Sequence, residues 1–317
     1  MNPISNLINS NLQTDTIIQR EKLYFDAARE RPLDTTFWYD SKNKTRPLII
    51  FSHGWNRTSE PYARFRKQWV RECLIKAGYN YLAIEHRDDN FHFIKRRVQD
   101  IAFIIDQLKK DNTFEEYMKT ASIGITGFSK GGATALATVG ARFRTLNVDE
   151  DDFTKYHLGN EVIEILNLEQ ANKDLSIDGI KAAVLLQPGW ILRYSTESLA
   201  KINVPVLVLD KENEDPIENC FKQWTQTNDN VKKILLPGNS HFVLLDPPTS
   251  NDKNHMPPET YFELFESGME GVDREEVHRD SARKIVDFFD RHLKTCDLNF
   301  QVSKSYKNDQ HLISPLL

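Results

Sequence analysis

The sequence predicts an α/β fold, a mostly parallel central sheet with helices on both faces, and three observations predict it. Short apolar or β-branched runs at residues 47–51, 180–186 and 204–209 have the length of strands but lack the polar alternation of a sheet with one wet face, so both of their faces are covered. These runs alternate with segments whose apolar residues recur at helical spacing, the rhythm of parallel strands joined by crossover helices. The chain's 317 residues, 39% of them hydrophobic, are enough for one large domain with a proper core.

Residues 1–20 are polar and Asn-rich, a loose lead-in. Leu23-Tyr24-Phe25 and Thr35-Thr36-Phe37-Trp38-Tyr39 follow as strands joined through residues 27–32, an opening antiparallel pair. Residues 47–51 are a buried strand that runs directly into Ser52-His53-Gly54-Trp55. Tyr62, Phe65, Trp69, Val70, Cys73 and Leu74 mark a helix within residues 61–77, stopped by Gly78. Residues 79–84 are the next strand, closed by Glu85-His86-Arg87-Asp88, and residues 94–108 an amphipathic helix with Val98, Ile101, Ile105 and Leu108 as its stripe. A strand over residues 121–126 and a helix over 133–138 flank Gly127-Phe128-Ser129-Lys130-Gly131-Gly132.

Residues 143–178 break the rhythm, with the acidic run Asn147-Val148-Asp149-Glu150-Asp151-Asp152 and a short helix over 161–168. They read as an insertion over the sheet's C-terminal edge, either a partial substrate cap or a solvated excursion. The sheet resumes at residues 180–186, after which Gln187-Pro188-Gly189-Trp190 turns out of it, and ends with strands at 204–209 and 231–236. Residues 249–273 read as irregular apart from a short segment at 261–265. Residues 275–293 form a closing helix with Ala282, Ile285, Val286, Phe289 and Leu293 at core spacing, and 296–317 a polar tail. With no repeat and no interdomain linker, residues 21–295 are expected to be one domain.

The net charge of −5 argues against binding driven by phosphate neutralisation, so no nucleic-acid partner is expected. Cys73, Cys220 and Cys296 are scattered and odd in number, which points to neither a disulfide framework nor a thiolate metal site. The start Met1-Asn2-Pro3-Ile4-Ser5-Asn6-Leu7 lacks the basic and apolar regions of a secretion signal, and no apolar stretch is long enough to span a bilayer. The expectation is a soluble, cytoplasmic protein without an integral membrane segment.

A strand, Gly-x-Ser-x-Gly and a helix together place a serine on a strained turn with its hydroxyl exposed at the end of a sheet. Ser129 is therefore the candidate nucleophile, with Gly127 and Gly131 giving the room so sharp a turn needs. A serine hydroxyl needs a base to take its proton and an acid to hold that base, in the chain order serine, acid, histidine. His241 stands a short turn beyond the last strand and is the candidate base, whereas His255, His278, His292 and His311 fall in loops, on a helix surface or in the tail. In the loop after the preceding strand, Asp210 is too close to the strand, Asp215 is the chosen acid and Glu212 its reserve. An oxyanion needs two backbone N–H donors, expected from Lys130 and Trp55. Trp55 and Trp190 either wall an acyl pocket or are plain core. His86, His92, Asp88 and Asp89 match no metal-ligand spacing and read as a solvated loop; with no phosphate-binding Gly motif either, neither metal nor cofactor is expected.

Phe51-Ser52-His53-Gly54, Glu85-His86-Arg87-Asp88 and Gly127-x-Ser129-x-Gly131-Gly132-Ala133-Thr134, in that order, resemble the platelet-activating-factor acetylhydrolase branch of the α/β-hydrolases and its bacterial dienelactone-hydrolase-like relatives. The resemblance runs from about Arg29 to about Asp246. It implies an α/β-hydrolase fold, carboxylic-ester hydrolysis without a metal, Ser129 as nucleophile and His241 as base; Ser240-His241-Phe242 also fits the bacterial relatives. The acetylhydrolase branch carries its acid soon after the strand that here leads into Gln187-Pro188-Gly189-Trp190, where this chain has no carboxylate. The dienelactone-hydrolase-like members place it one strand later, which supports Asp215. Dienelactone hydrolases proper use a cysteine nucleophile, so lactone specificity does not carry over. The resulting expectation is a serine esterase acting on small short-acyl esters through an acyl-enzyme, with Trp190 and Phe242 against the substrate. The alternatives are a thioesterase, peptidase or acyltransferase on the same fold, or a non-catalytic binding protein. The oligomeric state is left open.

Overall fold

A computed structural model describes residues 16–54, 68–87, 94–119, 121–146, 160–214 and 216–294. Its strands are β1 (Ile17–Asp26), β2 (Arg31–Asp40), β3 (Leu48–Ser52), β4 (Asn80–Glu85), β5 (Ile123–Phe128), β6 (Ile180–Leu186), β7 (Val206–Asp210) and β8 (Val231–Leu235). They form one sheet in the order β1-β2-β4-β3-β5-β6-β7-β8. The β1–β2 and β2–β4 pairs are antiparallel, and every pairing from β4 across to β8 is parallel.

The apolar runs alternate between two cores, as a strand covered on both faces must. Leu48 and Ile50 of β3, Ala183 and Leu185 of β6, and Val206 and Val208 of β7 face one core. There they meet Val98, Ile101 and Ile105 of helix α2 (Ile94–Lys110), which follows helix α1 (Gln68–Lys76) along the chain. Ile49 and Phe51, Val184 and Leu186, and Leu207 and Leu209 face the opposite core, against Trp69, Val70 and Leu74 of α1 and Val277, Ile285 and Phe289 of the closing helix Arg274–Phe289. The crossover from β3 to β4 goes one way and that from β4 to β5 the other, so the strand order reverses around β3. The crevice outside such a reversal is where ligands of open α/β sheets sit.

Four expectations change. β1 begins at Ile17, inside the stretch read as a lead-in, because ten consecutive residue pairs with β2 satisfy the backbone of a polar edge strand. Residues 249–273 hold two helices, Ser250–His255 and Pro258–Phe265, too short to show an apolar period. The first is set by a reciprocal cap between Thr249 and Asp252, and the second starts on a proline, which needs no N–H there. A short helix, α3 (Glu115–Lys119), follows α2 where the sequence shows no separate element. The closing helix ends at Phe289 and passes into a π-helical turn, Asp290–Lys294.

The acidic run of the insertion lies outside the described residues, while the helix Asn160–Gln170 stands where 161–168 was expected, with Ile163 and Leu166 buried. Among the described residues, no helix is long and apolar enough to cross a membrane.

Candidate active site

Ser129 joins β5 to the helix α4 (Lys130–Thr138) with φ 51° and ψ −118°, a conformation costly for a residue bearing a Cβ. The surroundings over-determine it. Its N–H donates to the Leu186 carbonyl at 3.0 Å, and its own carbonyl accepts from Ala133 and Gly189, each at 3.1 Å. A Cβ on Gly127 would collide with the backbone of Gly131, and one on Gly131 with the carbonyls of Ser52 and His53. Those two glycines thus let β5, α4 and the end of β3 meet.

A serine preceding a helix ordinarily caps it with its hydroxyl. Ser129 makes no such bond; its Oγ lies 3.1 Å from Nε2 of His241. Lys130 opens α4, so its N–H sits at the positive end of the helix dipole. The Lys130 side chain is buried, with its ammonium 6.0 Å from the ring centroid of Trp190. Trp190 is half-buried and left-handed at φ 62°. It borders a cavity shared with Phe143, Arg144, Leu166, Asn167 and Arg193.

His241 follows β8 on a loop pinned from three directions. Gln187, buried at the end of β6, donates from Nε2 to the Ser240 carbonyl at 2.8 Å. Arg274, buried in the first turn of the closing helix, donates to the carbonyls of Phe242 (2.5 Å) and Leu245 (3.1 Å), and more weakly to those of Leu264 and Phe265. His278, one turn further on, is 2% exposed, stacks on Trp69 at 4.6 Å, and donates from Nε2 to the Val243 carbonyl. His278 was expected on a helix surface; it is core. Trp69 Nε1–H donates to the Leu244 carbonyl, and Asp246 accepts from the N–H of Gln68 at the start of α1. The Phe242 ring stands 5.1 Å from the His241 ring, edge-on, and 6.5 Å from that of Phe128.

The loop after β7 is described except for residue 215. Asp210 ends β7 and is buried; its oxygens accept from the Lys211 N–H at 2.9 Å and the Asn213 amide at 2.7 Å. Burial pushes its carboxyl up to about 6. Glu212 is exposed. Asp215 and Trp55 lie outside the described residues.

The sequence places His86 in a solvated loop, and the structure corrects this: it is 1% exposed. Its Nδ1 lies 2.9 Å from Asp100 and its Nε2 3.0 Å from the Ser52 hydroxyl. Asp100 also accepts from Arg31 and Arg29, each at 2.8 Å. Against the desolvation of burial, which pushes a carboxyl up, the bonds from His86 and Arg31 hold it below the ordinary range. Serine, histidine and aspartate are in contact here, but substrate cannot reach a serine that is wholly buried. This cluster fastens the end of β3 to β4 and α2. Among the described residues, no group of three His, Cys, Asp or Glu side chains is placed to hold a metal ion.

No family model matches the sequence, and neither does any curated protein. Solved structures do match. The dienelactone hydrolase from Anabaena variabilis superposes with a TM-score of 0.52 at 15% identity, over 87% of this chain and 99% of that one. The Pyrococcus furiosus esterase Pf2001 superposes with a TM-score of 0.50 at 13% identity, over 89% of this chain and 95% of that one. The likeness is one of fold: the chain has the α/β-hydrolase fold.

Proposed function

We propose that this protein is a serine hydrolase that cleaves carboxylic esters with short acyl chains through an acyl-enzyme. The observation that carries the reading is Ser129: a non-glycine residue held at positive φ between β5 and α4, with its hydroxyl making no cap bond to the helix and lying 3.1 Å from His241 Nε2. Strain of this kind persists where its surroundings enforce it, and here it presents a nucleophile to a base. That similar folds belong to a dienelactone hydrolase and an esterase supports the reading.

In this mechanism His241 Nε2 takes the hydroxyl proton as Ser129 Oγ adds to the ester carbonyl. The negative charge that develops on the carbonyl oxygen is met by the N–H groups of Lys130 and Trp55, the first reinforced by the dipole of α4. Asp215 orients the imidazole and balances its charge. Collapse of the tetrahedral intermediate breaks the bond to the alkoxy oxygen, which leaves as an alcohol with the proton from His241. Water then gives a proton to His241 as its oxygen adds to the acyl carbon, and Ser129 is released with its proton restored. Trp190 and Phe242 border the substrate, which is a small-molecule ester.

The test is hydrolysis of p-nitrophenyl esters of increasing acyl length, beside thioester and anilide analogues. Wild type is expected to prefer short esters, with kcat/KM falling by about 10³-fold or more in Ser129→Ala and His241→Ala and by a smaller factor in Asp215→Asn. A folded wild type that turned over none of them would overturn the reading. Faster thioester or anilide cleavage would move the substrate class and leave the nucleophile in place.

A further inference from the structure

We infer that Gln187 is the positioning residue that sets the base against the nucleophile: its backbone is tied to the turn at Ser129, and its side-chain amide to the peptide that leads into His241. The role rests on the serine-hydrolase reading above.

Gln187 follows β6 directly and is 1% exposed. The carbonyl of the peptide that joins Leu186 to it accepts from the Ser129 N–H at 3.0 Å. Two residues later the Gly189 N–H returns to the Ser129 carbonyl at 3.1 Å. The Gln187 N–H donates to the Leu209 carbonyl at 2.7 Å, which anchors the residue to β7 as well. Like Ser129 at φ 51°, Gln187 is a non-glycine residue at positive φ, 43°. Glycine would adopt that backbone without strain; what glycine lacks is the side chain.

That side chain crosses to the other half of the site. Its Nε2 donates to the carbonyl of Ser240 at 2.8 Å, and Ser240 is itself buried. The carbonyl belongs to the planar peptide that enters His241, so holding it fixes the plane from which the His241 side chain departs. Beyond His241 the chain is held too: the Phe242 N–H donates to the Ser240 hydroxyl at 3.1 Å, and Arg274 donates to the Phe242 carbonyl. The amide oxygen of Gln187 is buried without a hydrogen-bond partner among the described residues. An apolar side chain of similar size would avoid that cost, so what the amide contributes is its donor. One rigid residue thus links Ser129 to His241, whose reacting atoms stand 3.1 Å apart. Proton transfer between the hydroxyl and the imidazole depends steeply on that separation.

The experiment compares wild type with Gln187→Met, close in size but without the donor, and with Gln187→Asn, whose amide is one carbon too short to reach Ser240. Asparagine adopts the left-handed backbone more readily, so Gln187→Asn relieves strain while it breaks the link. Folding is checked by circular dichroism, and hydrolysis of p-nitrophenyl acetate is followed in each. Both variants are expected to lower kcat about 10- to 100-fold with KM little changed. The decisive readout is the rate at which a fluorophosphonate labels Ser129 when Gln187→Asn is combined with His241→Ala. That slow residual rate is expected to match His241→Ala alone, because the link acts through a base that is no longer there. A further fall in the His241→Ala background, or a folded Gln187→Asn with full kcat/KM, would make Gln187 merely structural. Either would overturn the inference and leave the hydrolase reading intact. If Gln187→Met does not fold, Gln187→Asn carries the test. A folded wild type that neither hydrolyses esters nor takes the label would remove both.

Discussion

Ser129, the proposed nucleophile, sits in a strained conformation, and the strain is measurable apart from activity. At φ 51° and ψ −118° a Cβ is costly, whereas glycine is at ease. Ser129→Ala and Ser129→Gly both delete the hydroxyl, but only the second relieves the backbone. Glycine's greater freedom in the unfolded chain offsets part of the gain, so Ser129→Gly is expected to exceed Ser129→Ala in unfolding free energy by about 1 kcal/mol in urea denaturation. Equal stabilities would mean that the turn holds no strain. At this scale the sequence was informative where glycine spacing forces geometry, as around Ser129. It was misleading for His86 and His278, which look like solvated side chains in sequence and are buried. Their partners, Asp100 and Ser52 for one and Trp69 and the Val243 carbonyl for the other, stand far away along the chain or on the backbone, so no local pattern announces them.

The closing helix shows how one element holds a loop that another has placed. Arg274 and His278 lie one turn apart on its buried side and both donate to the loop after His241. Burial pulls the Arg274 guanidinium down to about 10, yet it remains charged at neutral pH and serves several carbonyls at once. Arg274→Met leaves those carbonyls without their donor and is expected to cost on the order of 3 kcal/mol in unfolding free energy. It should also lower kcat/KM of the remaining folded enzyme, because the His241 loop loosens; Arg274→Lys should recover part of both. Full stability and activity in Arg274→Met would show that the loop holds itself. The apolar stripe of this helix was readable from Ile285, Val286, Phe289 and Leu293. The polar residues that share its buried side were not, since an arginine or histidine in a helix normally signals the solvent face.

For the whole molecule, the parallel order β4-β3-β5-β6-β7-β8 brings six strand ends to one edge of the sheet. The end of β3 supplies the His53–Gly54 loop, β4 His86, β5 the turn at Ser129, β6 Gln187, β7 the loop at Asp210 and β8 the approach to His241. This architecture was legible because a parallel strand covered on both faces leaves a continuous apolar run, and a crossover helix leaves a stripe. The edge strand β1 and the short helices after Thr249 carry neither signal; pairing with β2 and a capping box decide them. The geometry gathers on one claim, that Ser129 is the nucleophile. Its most direct measurement is intact-protein and peptide mass spectrometry after reaction with a fluorophosphonate, for wild type, Ser129→Ala and His241→Ala. The expected result is a single adduct on Ser129 in wild type, none in Ser129→Ala, and much slower labelling in His241→Ala. A folded wild type that stayed unlabelled, or an adduct on another residue that persisted in Ser129→Ala, would contradict the account.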